Sequence, residues 1–482
     1  MWSVILFASV SMCEGDQPSH VLSKVCSPSG WTIGDFVSRA ETLSPATREA
    51  SVLLEQARSS RRATRAQLLP QLQLTASYVR LSDVDNPSLF PPPDAATQAA
   101  IEDDIAALQD PAAQRLWTRD TSGADAGPAF PVIQDNWTFE SSLQWSLSDF
   151  FLASRARLLA SGARVDAQRL DRAAVKRSIR LDAVGTYFDL VTAKGQEKIV
   201  EESLRRSRAV EGEVLSRVEQ GFELRSEYLR VRAQSERLEG DLVDAIALRE
   251  STTRSIETLL DLPESGDLRL AFMLPATPPL DSFDSYWKEA NAHREELKAS
   301  ERLVDAATKE SEGVYFDQLP DLNLLGSARQ ANPNPRIIPP VDDFRFDWSV
   351  GVSLTFSPNR LIETYHRESV ARGDEEIQRL RVESLRDSIR DEVALAHARA
   401  KASESAVDSA RAELSSAREA YRVRREQFPE GLTTASELID TESELSNAEL
   451  RLLNSLIRAV VDRAVLYRSV GRDLDFLIGA KP

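Results

Sequence analysis

The 482-residue sequence is poor in the side chains that most often build reactive or metal-binding sites. It has only two cysteines, Cys13 and Cys26, and four histidines. Two cysteines exclude a disulfide framework, and no Cys/His cluster shows the spacing of metal ligands. The sequence also contains no phosphate-binding glycine loop and no nucleophile–base pair. These absences argue against an enzyme, and no metal or other cofactor is expected.

Basic charge and long hydrophobic runs are also scarce. The 59 basic residues are outnumbered by 76 acidic ones, which gives a formal net charge of −17. No segment carries a dominant basic stripe, so a nucleic-acid partner is not expected. Beyond the first residues, no 18 consecutive apolar residues occur, so no transmembrane helix is expected.

Residues 1–13 are predicted to form a signal peptide. The stretch from Met1 to Met12 is apolar, and its length suits the core of a signal peptide but is too short to span a bilayer. Cys13 follows Val10-Ser-Met in a loose likeness to a lipoprotein cleavage box, so it is a candidate for lipidation. An ordinary signal peptide is the alternative.

Four segments show the two-residue period of β-strands that have one apolar and one polar face. The predicted strands are 72–81, 136–147, 321–330 and 346–357. Large aromatic residues lie near the ends of two apolar faces, as the aromatic girdles of membrane barrels do. We interpret four of them as anchors in membrane lipid: Trp137, Trp145, Trp348 and Phe356.

Long proline-free segments follow each pair of strands. The predicted helices 153–220 and 360–428 would each be about 100 Å long, which implies a coiled coil or a helical array. Shorter helices are predicted at 33–69, 222–262, 283–316 and 434–470. In the last of these, an apolar residue recurs every seven positions, which favours side-by-side supercoiled packing: Leu438, Leu445, Leu452, Ala459 and Leu466.

The order of these elements repeats. Gly221 and Gly431 each follow a long helix, where glycine accepts the positive φ that a helix end needs. The first repeat is predicted at 14–262 with a proline-rich loop at 82–135, in which 95–116 is a candidate short helix. The second repeat is predicted at 283–471 with a loop at 331–345. A connector at 263–282 and a C-terminal tail at 472–482 complete the chain.

The number of strands predicts an oligomer. Four strands are too few to close a barrel, and an open sheet in lipid would leave backbone edges unpaired. Three copies related by rotation would supply twelve strands. The predicted fold class is therefore mainly α with membrane β: a tandem repeat of long coiled-coil helices plus four strands per protomer, which contribute to a trimeric 12-stranded barrel.

Several local patterns resemble those of the TolC-type outer-membrane efflux proteins. The resemblance extends from about Ile33 to Gly471. It rests on five patterns. Two lie where a helix leads into a strand, Gln67-Leu-Leu-Pro-Gln-Leu and Gln318-Leu-Pro-Asp-Leu. The others lie in the second strand of a pair, in the first long helix and at the hairpin tip: Trp348-Ser-Val-Gly-Val-Ser-Leu, Tyr187-Phe-Asp-Leu, and Phe428-x-x-Gly431 followed by Leu438-Ile-Asp440. Each pattern is weak alone, but their order and spacing in duplicate make the match strong.

The resemblance implies a homotrimer in the outer membrane of a Gram-negative bacterium, with a helical barrel that extends into the periplasm. The proline-rich loops would be extracellular, and the turns at Gly221 and Gly431 would form the periplasmic tip. It also implies a non-enzymatic exit duct that docks a periplasmic adaptor protein and serves an inner-membrane pump. One departure concerns the strand-to-helix corners, which lack the glycine pair common in the family, so their shape is expected to differ.

The second tip carries a run of acids. Glu437, Asp440 and Glu444 are spaced i, i+3, i+7, which places them on one helical face. In a trimer each becomes a ring of three carboxylates, which favours cations at a constriction. The resemblance implies that Glu437 and Asp440 line the periplasmic aperture. The alternatives are that Glu437 completes a capping box with Thr434 and that Glu444 lies on a solvated face.

The first tip differs in charge from the second. Arg225 and Arg230 lie near Glu227. The equivalent stretch of the second tip, between Gly431 and Glu444, has no basic residue. Pairing of one of these arginines with an acid of the other tip would form a latch, comparable to the polar and charged links that the resemblance implies. We therefore predict Arg225, Arg230 and Glu227 as candidate latch partners.

Two functions of different classes follow. The first is a trimeric outer-membrane exit duct of a tripartite efflux or type I secretion system, with an acidic periplasmic gate. The alternative is a spectrin-like coiled-coil scaffold, against which the four alternating segments speak. The sequence does not distinguish a small-molecule exporter from a duct for proteins.

Overall fold

The structure, a computed structural model, describes residues 30–82, 94–122, 133–264, 268–271 and 279–478. The predicted signal peptide, with Cys13, lies outside these residues. The chain divides into two compact units. Of the described residues, those within 62–158 and 310–371 form the sheet unit, and those within 30–61, 159–309 and 372–478 form the helical unit.

The sheet unit contains four antiparallel strands in the order β1-β2-β3-β4. They are β1 Gln71–Arg80, β2 Asp135–Ser146, β3 Asp321–Asn332 and β4 Arg345–Thr355. Their bounds differ from the predicted ones by at most two residues. The outer strands are β1 and β4, the first and the last in sequence.

The register of the strands gathers the apolar residues on one face. In one row Leu72 pairs with Leu143, Leu143 with Gly326, and Gly326 with Val350. The adjacent positions form the opposite face, which is polar apart from Val79, Leu325 and Ala331 and includes an ion pair of 3.2 Å between Arg329 and Glu140. On β4 the apolar side chains are 66% to 70% exposed: Trp348, Val350, Val352 and Leu354. The sheet therefore presents an uncovered apolar face and a polar face, as the alternation predicts.

The predicted anchors have different surroundings in this unit. Trp137 lies 4.4 Å from Tyr78, ring to ring, and remains 41% exposed. Trp145 is half-buried, because its indole Nε1 donates to the carbonyl oxygen of Leu68 and its ring contacts Phe150. Trp348 and Phe356 are exposed. The anchor role stays a prediction for all four.

The two strand-to-helix corners differ. A short helix, α5 (Leu147–Phe151), follows β2, and Ser148 Oγ accepts a hydrogen bond of 3.0 Å from the backbone N–H of Leu322. After β4, the long helix α10 begins at Pro358. In the predicted loop 82–135, the candidate helix at 95–116 is replaced by two helices, α3 (Ala95–Ala107) and α4 (Pro111–Ser122). Asp94 caps α3 through the backbone N–H of Thr97.

The helical unit contains most of the helices. Four of those named below, α2, α6, α9 and α10, also have residues in the sheet unit. In chain order the helices are α1 Ile33–Leu43, α2 Pro45–Ala66, α6 Ala153–Glu219, α7 Arg225–Leu259, α8 Phe283–His293, α9 Glu295–Phe316, α10 Pro358–Gln427, α11 Ala435–Val470 and α12 Asp475–Ile478. None of the helices in the described part of the chain is long and apolar enough to cross a membrane.

Several predicted helix bounds are wrong. The helix predicted at 33–69 is broken at Ser44, because Pro45 lacks a backbone N–H and disfavours the helical conformation of the residue before it. The helix predicted at 283–316 is broken at Arg294. The helix predicted at 222–262 begins only at Arg225, after an extended Leu224, and ends at Leu259. Asp261 follows with a positive φ of 49°.

The segments at 263–282 and 472–482, predicted as a connector and a tail, both contribute to the core. Leu270 forms a parallel bridge with Trp31 and is fully buried. Leu474 and Leu477 are buried in the same cluster as Tyr187 of α6. Most of the predicted seven-residue seam of α11 is also buried, with exposures of at most 4%: Leu438, Leu445, Leu452 and Leu466.

Candidate gate at the hairpin tips

Two helical hairpins end in glycine turns. The first hairpin consists of α6 and α7 around Gly221, and the second of α10 and α11 around Gly431. The φ values of the two glycines are 80° and 71°, a conformation that side chains with a Cβ rarely adopt. Each turn closes on itself: the N–H of Phe222 donates to the carbonyl of Arg217, and the N–H of Leu432 donates to that of Gln427.

In the second hairpin, Glu437 caps its own helix. Thr434 Oγ1 accepts from the N–H of Glu437 at 3.2 Å, and the Glu437 carboxylate accepts from the N–H of Thr434 at 3.3 Å. The hydroxyl of Thr433 donates to the same carboxylate, and Arg424 lies 3.4 Å away. These donors, the Thr433 hydroxyl first, lower the pKa of Glu437. Within one chain the capping alternative therefore holds for Glu437.

Asp440 and Glu444 lie on the same face of α11 as Glu437, and all three side chains are exposed. Leu438 and Ile439 point to the opposite side and are buried. The arrangement leaves Asp440 and Glu444 directed away from the rest of their own chain. A gate function for these acids stays a prediction.

Two of the candidate latch residues meet at Ser436. The carboxylate of Glu227 accepts from the N–H of Ser436 at 3.2 Å and also from its hydroxyl. Arg230 donates to the same hydroxyl at 2.8 Å. The contact links the first turns of α7 and α11, but within the chain Arg230 binds a serine rather than an acid. Arg225 is exposed, and the latch itself stays a prediction.

The two hairpins also share an apolar core at their tips. The buried side chains of this tip core are Val210, Val214, Val231, Phe428, Ala435, Leu438 and Ile439. Arg217 lies 4.6 Å above the ring of Phe428 and donates to the carbonyl of Pro429 at 2.8 Å. Arg425 and Glu213 form a further ion pair of 2.6 Å. Burial of each large aliphatic side chain contributes about 1.5–3 kcal/mol, so the two tips are firmly packed on each other.

Sequence reasoning missed Glu442, a fully buried carboxylate next to the tip core. Its oxygen accepts from Ser203 Oγ at 2.9 Å and from Arg206 Nε at 3.0 Å. Burial raises the pKa of Glu442 more than the attraction of Arg206 lowers it. A signal was present in the sequence, because Glu442 lies four residues after Leu438 and three before Leu445, within the apolar seam.

The tips expose several large apolar side chains. Phe222 is 78% exposed and Leu432 is 72% exposed, and both lie beside the turn glycines. Leu224, at the start of α7, is also exposed. Among the described residues, no group of three or more His, Cys, Asp or Glu side chains could hold a metal ion.

A tandem pair of helical hairpins joined to a four-stranded sheet with one apolar face is the architecture of TolC-type outer-membrane channels, so the fold confirms the resemblance. A sequence model described as "outer membrane efflux protein" matches residues 36–261 and 287–472. The chain therefore belongs to the outer membrane efflux protein family. Family membership and the sheet together set aside the alternative of a spectrin-like scaffold.

Solved structures of outer-membrane channels share this fold. The channel OprN is 19% identical, with a TM-score of 0.71 over 94% of this chain and 96% of that one. The open-state channel MtrE of Neisseria gonorrhoeae is 17% identical, with a TM-score of 0.71 over 97% and 96%. VceC of Vibrio cholerae is 16% identical, with a TM-score of 0.70 over 91% and 96%. No match is found among curated proteins.

Proposed function

We propose that three copies of this chain form a passive exit duct in the outer membrane of a Gram-negative bacterium. The observation that carries the proposal is the sheet, whose large apolar residues lie mostly on one exposed face while β1 and β4 remain as outer strands. Pairing of β4 of one copy with β1 of the next would satisfy both edges and close a ring of twelve strands. The apolar face would then contact lipid.

The hairpin tips would form the periplasmic end of this duct. Their exposed apolar residues, Phe222, Leu224 and Leu432, offer a docking surface for a periplasmic adaptor protein, because apolar side chains on a tip are best covered by a partner. An inner-membrane pump would supply the energy. The chain conducts rather than catalyses, and it serves efflux or type I secretion.

We further propose that Asp440 is the principal gate residue of the aperture, and that Glu444 and the outer side of Glu437 form adjacent rings on the same helical face. Three exposed carboxylates around a threefold axis would attract cations and repel anions. Arg230 and Glu227 would link neighbouring tips, and Arg225 is available to a neighbouring copy because it is exposed. The proposal is supported by the position of Asp440, which is exposed on a face of α11 that its own chain does not cover.

The assembly is tested with the full-length protein purified in detergent. We expect a mass of three chains by light scattering, and single-channel currents after insertion into planar bilayers. Asp347→Pro would serve as a disrupted variant, since proline removes a donor from the outer strand β4. A monomer that inserts no channels would contradict the proposal.

A further inference from the structure

We infer that a polar pocket in the sheet unit binds a saccharide, and that hydroxyl-rich solutes are therefore among those that the duct passes. This corner pocket lies where α2 leads into β1 and α5 follows β2. Its volume is about 320 Å³, within the range of roughly 300–1,000 Å³ that is typical of small-molecule sites. The role of the saccharide as a solute of the duct rests on the proposed function, whereas the pocket is formed within one chain.

Carboxamide side chains dominate the lining of the corner pocket. Gln71 pairs with Gln144 across β1 and β2. Asn323 pairs with Ser146 across β3 and β2, in the next row of the same polar face. Among the described residues, none of the lining carboxamides has a hydrogen-bond partner for its side chain: Gln67, Gln71, Gln144 and Asn323. Each offers two N–H donors and a carbonyl acceptor, which suit the neighbouring hydroxyl groups of a sugar ring.

The short helix α5 forms one side of the corner pocket. It follows β2 at a corner where the sequence lacks the glycine pair, and it contributes Asp149 and Phe150 to the lining. The ring of Trp145 lies 5.4 Å from that of Phe150, and its Nε1 donates to the carbonyl oxygen of Leu68 at 3.2 Å. The apolar C–H face of a sugar ring can pack on such an aromatic wall. Because the wall is already held in place, little entropy is lost when a ligand binds.

The charges of the corner pocket favour a neutral ligand. Arg360 forms an ion pair of 2.6 Å with Asp321, so its guanidinium is already engaged within the protein. The carboxylate of Asp149 can accept a hydrogen bond from a hydroxyl group, and it disfavours an anion. A saccharide finds both donors and acceptors here and brings no charge of its own.

In the proposed assembly the corner pocket would face the interior of the duct. Its strand residues lie on the polar face of the sheet, opposite the apolar face that would contact lipid. Three copies would place three such pockets at one level around the axis. A site on a conduction path must release its ligand readily, and a pocket whose glutamines are exposed meets that condition.

The test is calorimetric titration of the full-length protein with maltose, in a detergent that has no sugar headgroup, and with trialanine as a peptide probe. We expect saturable binding of maltose. Trialanine should bind about tenfold more weakly or worse, because a site built for hydroxyl groups rejects ligands that lack them. Gln144→Ala and Asn323→Ala should each weaken maltose binding about fivefold, the effect of losing one hydrogen bond.

Gln73→Ala is the matched control, because Gln73 is an exposed glutamine on the same face of β1 that does not line the pocket. It should leave the affinity for maltose unchanged. The inference would be overturned if maltose does not bind, if trialanine binds as tightly, or if maltose binding survives both pocket substitutions.

Planar bilayers separate the pocket from the duct. Maltose should reduce the single-channel current, and Gln144→Ala should weaken this block while Gln73→Ala leaves it unchanged. Maltose binding in detergent by a protein that forms no channels would support the pocket and count against the proposed duct. Channels that maltose neither binds nor blocks would leave the duct intact and refute the saccharide site, and binding without block would refute its place on the conduction path.

Discussion

Glu227 and Glu437 occupy equivalent positions in the two hairpin tips but make different contacts, because the N-cap residue differs between the repeats. Thr434 begins α11 and binds the N–H of Glu437, so that Glu437 completes a capping box. The equivalent position in the first hairpin is Leu224, which offers no cap. Glu227 is therefore not engaged by its own N-cap and binds Ser436 of the other hairpin. The duplicated sequence thus builds one local cap and one bridge.

This assignment predicts the effect of Thr434→Ala. Loss of an N-cap hydroxyl costs about 1 kcal/mol, so the first turn of α11 should exchange its amide hydrogens about fivefold faster. Ser226→Ala is the control, because Ser226 is exposed in the first turn of α7. Equal exchange rates in the two variants would show that the box does not stabilise α11.

At the scale of whole elements, the predicted helices 33–69 and 283–316 are each broken after an 11-residue first part, at Ser44 and at Arg294. Pro45 marks the first break in the sequence. The break at Arg294 has no proline, and it packs against Gly471, the C-cap of α11, whose φ is 82°. An added Cβ at Gly471 would lie 3.3 Å from the carbonyl carbon of His293. The second break therefore depends on a tertiary contact.

Gly471→Ala is accordingly expected to lower the midpoint of thermal denaturation in detergent. The positive φ costs about 1–2 kcal/mol for alanine, and the close contact adds to that cost. Gly212→Ala is the matched control, because Gly212 lies inside α6 with nothing near its Cβ position. That change should stabilise by about 0.5–1 kcal/mol. A higher midpoint for Gly471→Ala would refute this account of the break.

These elements also show what the sequence could and could not predict. Alternation predicts the strands because each has one apolar face, and Gly431 marks a turn because its φ is positive. The break at Arg294 packs against Gly471, which is far away in sequence, so no local pattern indicates it. Glu442 interrupts an apolar seam, which signals burial, but no local pattern identifies its distant partner Arg206. In the loop 82–135 one short helix at 95–116 is expected, and the structure has two, because Pro111 lacks a backbone N–H and begins a second helix, α4.

At the scale of the whole molecule, both the sheet and the hairpin tips have surfaces and strand edges that other copies of the chain would cover or pair. The sheet has two outer strands and an uncovered apolar face, and the tips expose apolar residues and the acids of α11. Rotational assembly of three chains would pair the strands and bring three copies of Asp440 together.

The most direct test of this account is the single-channel conductance of Asp440→Asn in planar bilayers, with divalent cations applied from the periplasmic side. Asp408→Asn is the control, because Asp408 is an exposed acid of α10 remote from the tip in sequence. We predict that Asp440→Asn raises the conductance or weakens the block by divalent cations, and that Asp408→Asn changes neither. Unchanged conductance together with unchanged block in Asp440→Asn would contradict the account.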